Sequence, residues 1–328
     1  MILNNVILKT NNLKKHFPVK SGVLATVKGH VKAVDGISME VMEGETFGIV
    51  GESGCGKSTL GRLLLRLIEP TGGECSINED RNIFELSPKE MRMLRKDVQI
   101  IFQDPYASLN PKMKIGDIVG ESLKIYKIIP DEKKRKERVQ ELLEKVGLSK
   151  EHYNRFPHEF SGGQRQRVCI ARALALNPKL IVCDEAVSAL DVSVQAQILN
   201  LLKDLQKEFN LTYIFISHDL SVIKFICNRV GVMYLGKIVE LADSDTLFNK
   251  PAHPYTRALL SAIPEPNPRK TKDKIVLNSD MPNPINLPKG CRFHTRCEYA
   301  VDSCKQAIPE LEPIAEGHFV ACFRKEEI

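Results

Sequence analysis

Apolar residues in this chain fall into two spacings. Runs at residues 37–41, 46–50, 98–102, 180–184 and 213–217 are short and carry Val, Ile or Phe, the pattern of strands. Residues 58–68, 131–146, 164–176 and 193–209 repeat apolar positions at helical spacing. Strands alternating with helices of this length predict an α/β domain with a mostly parallel sheet over residues 1–255. Strand-like runs vanish between Gln103 and Asn177, which predicts a helical subdomain at about 104–176 inserted into the sheet core. Residues 229–235, then Gly236, then 237–241 predict an antiparallel hairpin on the sheet edge. Beyond them, residues 256–289 are Pro-rich and poor in core-forming residues, as in a linker. Residues 290–328 form a small tail domain.

The chain has 328 residues, beyond the size at which one core usually suffices, so a large domain and a smaller one are expected. No apolar run reaches membrane-spanning length, and the first residues lack the basic and apolar regions of a signal peptide. The expectation is a protein neither exported nor membrane-spanning by itself. A net charge of +6 suits contact with an anionic ligand or an anionic leaflet and is too small to argue for nucleic acid. Nine cysteines without an export signal point to free thiols or metal ligands. Five of them are scattered, whereas Cys291, Cys297, Cys304 and Cys322 crowd the tail.

The predicted strand 46–50 runs into Gly51-Glu52-Ser53-Gly54-Cys55-Gly56-Lys57-Ser58-Thr59, and a predicted helix follows. This is the G-x-x-x-x-G-K-[ST] pattern in which main-chain N–H groups and a helix N-terminus cradle nucleotide phosphates. Lys57 would reach the β- and γ-phosphates, and Ser58 would hold Mg²⁺. Strand 180–184 ends on Asp184-Glu185. Such a strand delivers Asp184 beside the phosphate loop to hold the metal through water, and places Glu185 to activate the attacking water. Ser161, Gly162, Gly163 and Gln164 open a further helix, with Ser161 as N-cap and glycines that let a phosphate come close. A second anion site in one chain makes sense if one copy's Ser161–Gln164 closes over the nucleotide of another copy.

With that set in place the chain resembles the ATP-binding subunits of ATP-binding-cassette (ABC) transporters. The resemblance implies a P-loop ABC ATPase fold and a Q-loop role for Gln103, sensing Mg²⁺ and water. It implies a D-loop at Ser188–Asp191 that crosses a dimer seam, and a switch role for His218 at the γ-phosphate. Phe17 matches the aromatic that stacks on adenine. Ala186 stands where the family usually has Pro after the catalytic Glu. Residues 103–111, 191–195, 253–259 and 290–297 narrow the resemblance to the oligopeptide/dipeptide branch, which also includes nickel and glutathione importers. That branch implies a peripheral subunit on the cytoplasmic face of the membrane. Its partners would be a related ATPase subunit, two transmembrane permease subunits and an external binding protein, with no nucleic acid. A soluble non-transport ABC ATPase is the rival reading. The four tail cysteines, separated by five, six and seventeen residues, lack the C-x₂-C pairs of zinc ribbons. They resemble this branch's [4Fe–4S] site; zinc or unligated thiols are the alternatives.

Overall fold

The computed structural model describes residues 5–21, 26–78, 81–263, 275–277, 280–325 and 327. Much of the expected linker, at 264–274 and 278–279, lies outside them. The chain divides into two compact units, one built from Met1–Glu85 with Ser217–Ile328 and the other from Leu86–Ile216.

The first unit opens with a long antiparallel pair, β1 (Val6–Ser21) and β2 (Thr26–Met42), and β4 (Gly72–Ile77) completes a three-stranded sheet of order β2-β1-β4. Only the second half of β2 alternates inward, through Val34, Ile37, Met39 and Val41. The remainder, with Lys28, His30 and Lys32 among its residues, has no apolar pattern to announce it, so the sequence shows a strand only at 37–41. Between β2 and β4 lie β3 (Thr46–Val50), buried at all five residues, and α1 (Lys57–Leu64).

The second unit contains α2 (Pro88–Leu94), β5 (Val98–Ile101), α3 (Ile115–Ile125), α4 (Glu132–Lys145), α5 (Gly162–Leu174), β6 (Leu180–Asp184), α6 (Val192–Phe209) and β7 (Thr212–Ile216). Strands β5, β6 and β7 pair in parallel, with Val98 opposite Leu180 and Leu180 opposite Thr212. All five residues of β6 and of β7 are buried, as two-sided cover of a parallel sheet demands. Helices α3, α4 and α5 fill the stretch between β5 and β6, and α4 buries Val139, Leu142 and Leu143 while Lys133, Lys134 and Lys136 face solvent.

The first unit resumes with α7 (Leu220–Ile226), β8 (Arg229–Tyr234), β9 (Lys237–Asp243), α8 (Ser244–Asn249), α9 (Pro254–Ser261), α10 (Asp302–Gln306), β10 (Glu312–Ala315) and β11 (His318–Val320). Strand β8 runs parallel to β3, and β8 and β9 form a hairpin whose turn residues Leu235 and Gly236 both have positive φ, at 42° and 83°. The expected hairpin is present, but it does not end the sheet. Strand β11 pairs with β9, Phe319 opposite Leu241, and β10 follows, giving β10-β11-β9-β8-β3. The tail thereby covers backbone groups that an edge strand would leave unpaired.

Candidate nucleotide site and cysteine tail

In the first unit β3 ends at Val50 and the chain turns through Gly51, Gly54 and Gly56, whose φ values are 153°, 80° and 109°. Space enforces the choice at two of them. A Cβ on Gly51 would stand 2.1 Å from the Met233 carbonyl oxygen, and one on Gly56 would stand 1.9 Å from that of Ala33. Helix α1 starts at Gly56 without a side-chain cap, the setting in which helix N–H groups and dipole favour an anion. Lys57 is 4% exposed and folds back on the loop, its Nζ donating to the carbonyls of Gly51 at 2.8 Å and Glu52 at 3.0 Å. Cys55 is buried in the loop, and burial pushes its thiol up.

His218 belongs to the same unit. Its neighbour Ser217 donates its backbone N–H to the Ile49 carbonyl at 3.1 Å, which brings exposed His218 alongside the end of β3 where the loop begins. Phe17 lies on β1 opposite Val31, 38% exposed, with Lys15 Nζ 5.0 Å from the ring centre.

The second unit carries the other residues. Strand β6 ends on buried Asp184, and Glu185 turns sharply with φ 49° while its N–H donates to the Ile216 carbonyl at 3.0 Å. This left-handed turn aims the Glu185 side chain away from the strand direction, where Gln103 Nε2 donates to its Oε2 at 2.9 Å. Ser188 closes the next turn onto the Glu185 carbonyl through its N–H at 3.1 Å and its hydroxyl at 2.9 Å. Ala186 is buried. At the start of α5 the Ser161 hydroxyl accepts from Gln164 N, and Gln164 Oε1 accepts from Ser161 N, a reciprocal capping box. Ser161 and Gly162 are exposed. Gly163 answers to packing: a Cβ there would meet Val194 Cγ1 at 2.5 Å.

In the tail, Cys291, Cys297, Cys304 and Cys322 line one small pocket together with Phe293 and Tyr299. All four are free thiols. Burial raises Cys291 to about 11 and also raises Cys297 and Cys322, while the N–H two residues onward (Phe293, Tyr299, Arg324) bonds to each sulfur and offsets part of the rise. Among the described residues no group of three or more His, Cys, Asp or Glu stands arranged to hold a metal ion. The metal centre expected from the sequence is therefore not seen preformed; in its place four free cysteines share one pocket.

Sequence reading missed Tyr255 and Arg296. The Tyr255 hydroxyl accepts from Glu52 N at 2.9 Å, and Arg296 Nη1 reaches both Glu52 carboxylate oxygens at 3.2 and 3.0 Å. Both lie in stretches, 253–259 and 290–297, that the sequence marked only through resemblance and without a contact to the loop, and they stand more than 200 positions from the loop they touch.

Over residues 34–188 the chain matches the ABC transporter family, and over 239–304 it matches the oligopeptide/dipeptide transporter C-terminal region. It is 53% identical over 319 residues to the oligopeptide transport ATP-binding protein AppF of Bacillus subtilis (strain 168), covering 96% of each chain. The chain belongs to the ABC transporter family. A second relative within this ABC family is the probable peptide ABC transporter ATP-binding protein y4tS of Sinorhizobium fredii, 51% identical over 98% of this chain and 90% of its own length. Among solved ABC cassettes, the dimeric post-hydrolysis state of MJ0796 bound to ADP and Pi superposes with a TM-score of 0.64 at 31% identity. The match covers 73% of this chain and 99% of that one. The cassette cbiO1 of Clostridium perfringens, part of the ABC transporter complex cbiONQ, gives 0.63 at 28% identity over 75% and 92%. This ABC cassette is an ATPase of the P-loop α/β fold. No helix among its described residues is long and apolar enough to cross a membrane.

Proposed function

We propose that this cassette is the ATP-hydrolysing subunit of an importer of di- and oligopeptides, peripheral to the cytoplasmic face of the cell membrane. In this reading residues 1–255 form the nucleotide-binding domain and 290–328 the tail domain. The observation that carries the catalytic part is the Gln103–Glu185 hydrogen bond directly after buried Asp184. It fixes a carboxylate just outside the strand, which supports Glu185 as the water-activating base. The likeness of residues 239–304 to oligopeptide/dipeptide transporters, and the two relatives named for peptide transport, favour peptide cargo.

The phosphate-loop residues Gly51, Ser53, Gly54, Cys55, Gly56, Ser58 and Thr59 would hold the triphosphate through backbone N–H groups and hydroxyls, with Phe17 against the adenine. Lys57 would leave the Gly51 and Glu52 carbonyls for the β- and γ-phosphates. Ser58, Gln103 and Asp184 would hold Mg²⁺, which supplies neutralisation of charge developing on the transferred phosphoryl group. Glu185 takes the proton of the attacking water, and His218 contacts the γ-phosphate. Exposed Ser161 and Gly162, with Gly163 and Gln164, would close over the nucleotide of a partner ATPase subunit. That dimer drives two transmembrane permease subunits fed by an external binding protein.

The four tail cysteines suit a [4Fe–4S] cluster in donor chemistry. Four sulfurs share one pocket, and N–H groups lie on three of them, as accumulated thiolate charge requires. Bound there, a cluster would cross-link a tail with little apolar core. Protein purified without oxygen should be brown, absorb near about 400 nm and carry about four iron atoms per chain; colourless protein with one zinc per chain, or with no metal, removes the cluster.

Uptake by vesicles holding the full transporter decides the cargo. Labelled di- and oligopeptides should accumulate with ATP and fail to do so with Glu185→Gln. Uptake of nickel or glutathione in place of peptides would move the assignment to those cargoes. A chain that purifies without membrane subunits and supports no uptake would be a soluble ABC ATPase.

A further inference from the structure

The phosphate loop is intrinsically loose, because three of its six residues from Gly51 to Gly56 are glycines that impose little conformational preference. Something outside the loop has to hold it, and the contacts converge on Glu52. Its N–H donates to the Tyr255 hydroxyl, its carboxylate takes Arg296, and its carbonyl takes Lys57.

The two outer contacts come from a built support. The Arg296 side chain is 7% exposed and its guanidinium lies 5.9 Å from the Tyr234 ring centre. Tyr234 and Tyr255 meet at 4.6 Å, and Phe293 closes on both rings at 5.3 and 5.4 Å. Burial opposes charge on Arg296, yet its bonds to Tyr234 and Glu52 raise its affinity for the proton overall. A buried guanidinium is costly unless paired, so the Glu52 carboxylate is its required partner and the two residues fix each other.

We propose that Arg296 and Tyr255 are positioning residues for ATP: Arg296 from the tail and Tyr255 from α9 together grip Glu52 and keep the phosphate loop in its binding shape before nucleotide arrives. The arrangement lowers the ordering cost of binding. It also makes nucleotide affinity depend on a correctly folded tail, since Arg296 immediately precedes Cys297. The inference rests on residues 51–59 being the nucleotide loop.

The test is a double-mutant cycle on Glu52→Gln and Arg296→Met, with Arg296→Lys and Tyr255→Phe alongside. It reads MgATP and MgADP affinity by calorimetry and steady-state KM against kcat, with thermal unfolding as a control for folding. Each single change in the ion pair should weaken nucleotide binding about tenfold, the pair together no more than either alone, with KM rising and kcat nearly kept. Arg296→Lys keeps the charge and should recover part of the affinity in a folded protein. Tyr255→Phe should weaken binding less than Arg296→Met while leaving the tilted ring contacts in place. Affinity within twofold of the parent for folded Arg296→Lys and Arg296→Met overturns the proposal, as do effects of the two single changes that simply add. A parent protein that binds no nucleotide overturns the loop reading itself, and this proposal with it.

Discussion

Gln103 Nε2 donates to Glu185 Oε2 at 2.9 Å, joining residues 82 positions apart. Gln103 follows β5, Glu185 follows β6, and the two strands pair in parallel, so adjacent strand ends bring the amide to the carboxylate. Gln103→Ala removes the amide hydrogen bond that orients the Glu185 carboxylate. ATP turnover should fall about 10- to 100-fold with MgATP affinity little changed, a range set by what loss of orientation costs a general base. Glu185→Gln removes the base itself and should cost about 10²- to 10⁴-fold. Single-turnover hydrolysis with radiolabelled ATP checks both, and normal hydrolysis by Glu185→Gln would disprove the assignment of the base.

Lys57 and Gly56 test the phosphate loop from two directions. Lys57→Ala removes the side chain that would meet the β- and γ-phosphates, so nucleotide affinity, and not only turnover, should drop. Gly56→Ala places a methyl group against the Ala33 carbonyl at a φ that disfavours any Cβ. The expected cost is about 2 kcal/mol or more of stability together with lost nucleotide binding, read by denaturant unfolding and calorimetry.

Ser161 serves its own helix as well as any partner. Ser161→Ala deletes the hydroxyl half of the capping box and should destabilise the second unit by about 1 kcal/mol. Ser161→Asp keeps the cap but adds negative charge at a surface proposed to meet a partner's phosphates. It should retain stability and abolish nucleotide-dependent dimers in the Glu185→Gln background, as seen by size-exclusion chromatography with MgATP.

Asp35 links the tail to the β1–β2 pair, accepting from Arg292 and lying 2.8 Å from His16 Nε2. Burial raises its carboxyl, but Arg292, His16 and Lys32 outweigh that and leave it below its ordinary value of 3.8. A depressed carboxyl stabilises the fold above its unfolded value and loses that contribution as pH falls through the folded one. Acid unfolding should therefore steepen below about pH 4. Asp35→Asn should lower stability at neutral pH and flatten that limb, with far-ultraviolet circular dichroism against pH as the measurement.

Much of the candidate site was legible because its parts are local. A phosphate loop is nine consecutive residues between a strand and a helix, Asp184-Glu185 closes one apolar run, and Ser161–Gln164 is one helix start. Period and turn chemistry suffice for each, and β3 and β6 match the apolar runs at 46–50 and 180–184 residue for residue. The amphiphilic β1 and the exposed half of β2 were not legible, because their partner strands, and not their own composition, make them strands.

The sequence by itself determined which residues can do chemistry: glycines where the chain must turn with positive φ, a lysine and a hydroxyl at a helix start, and carboxylates at a strand end. Tertiary structure alone decided who holds them. It set Gln103 on Glu185, laid β11 along β9, and seated Arg296 on Glu52 across 244 positions of chain. Contacts at such separations are fixed by global packing that repays loop-closure entropy, and they leave no period or spacing in the sequence for a reader to find.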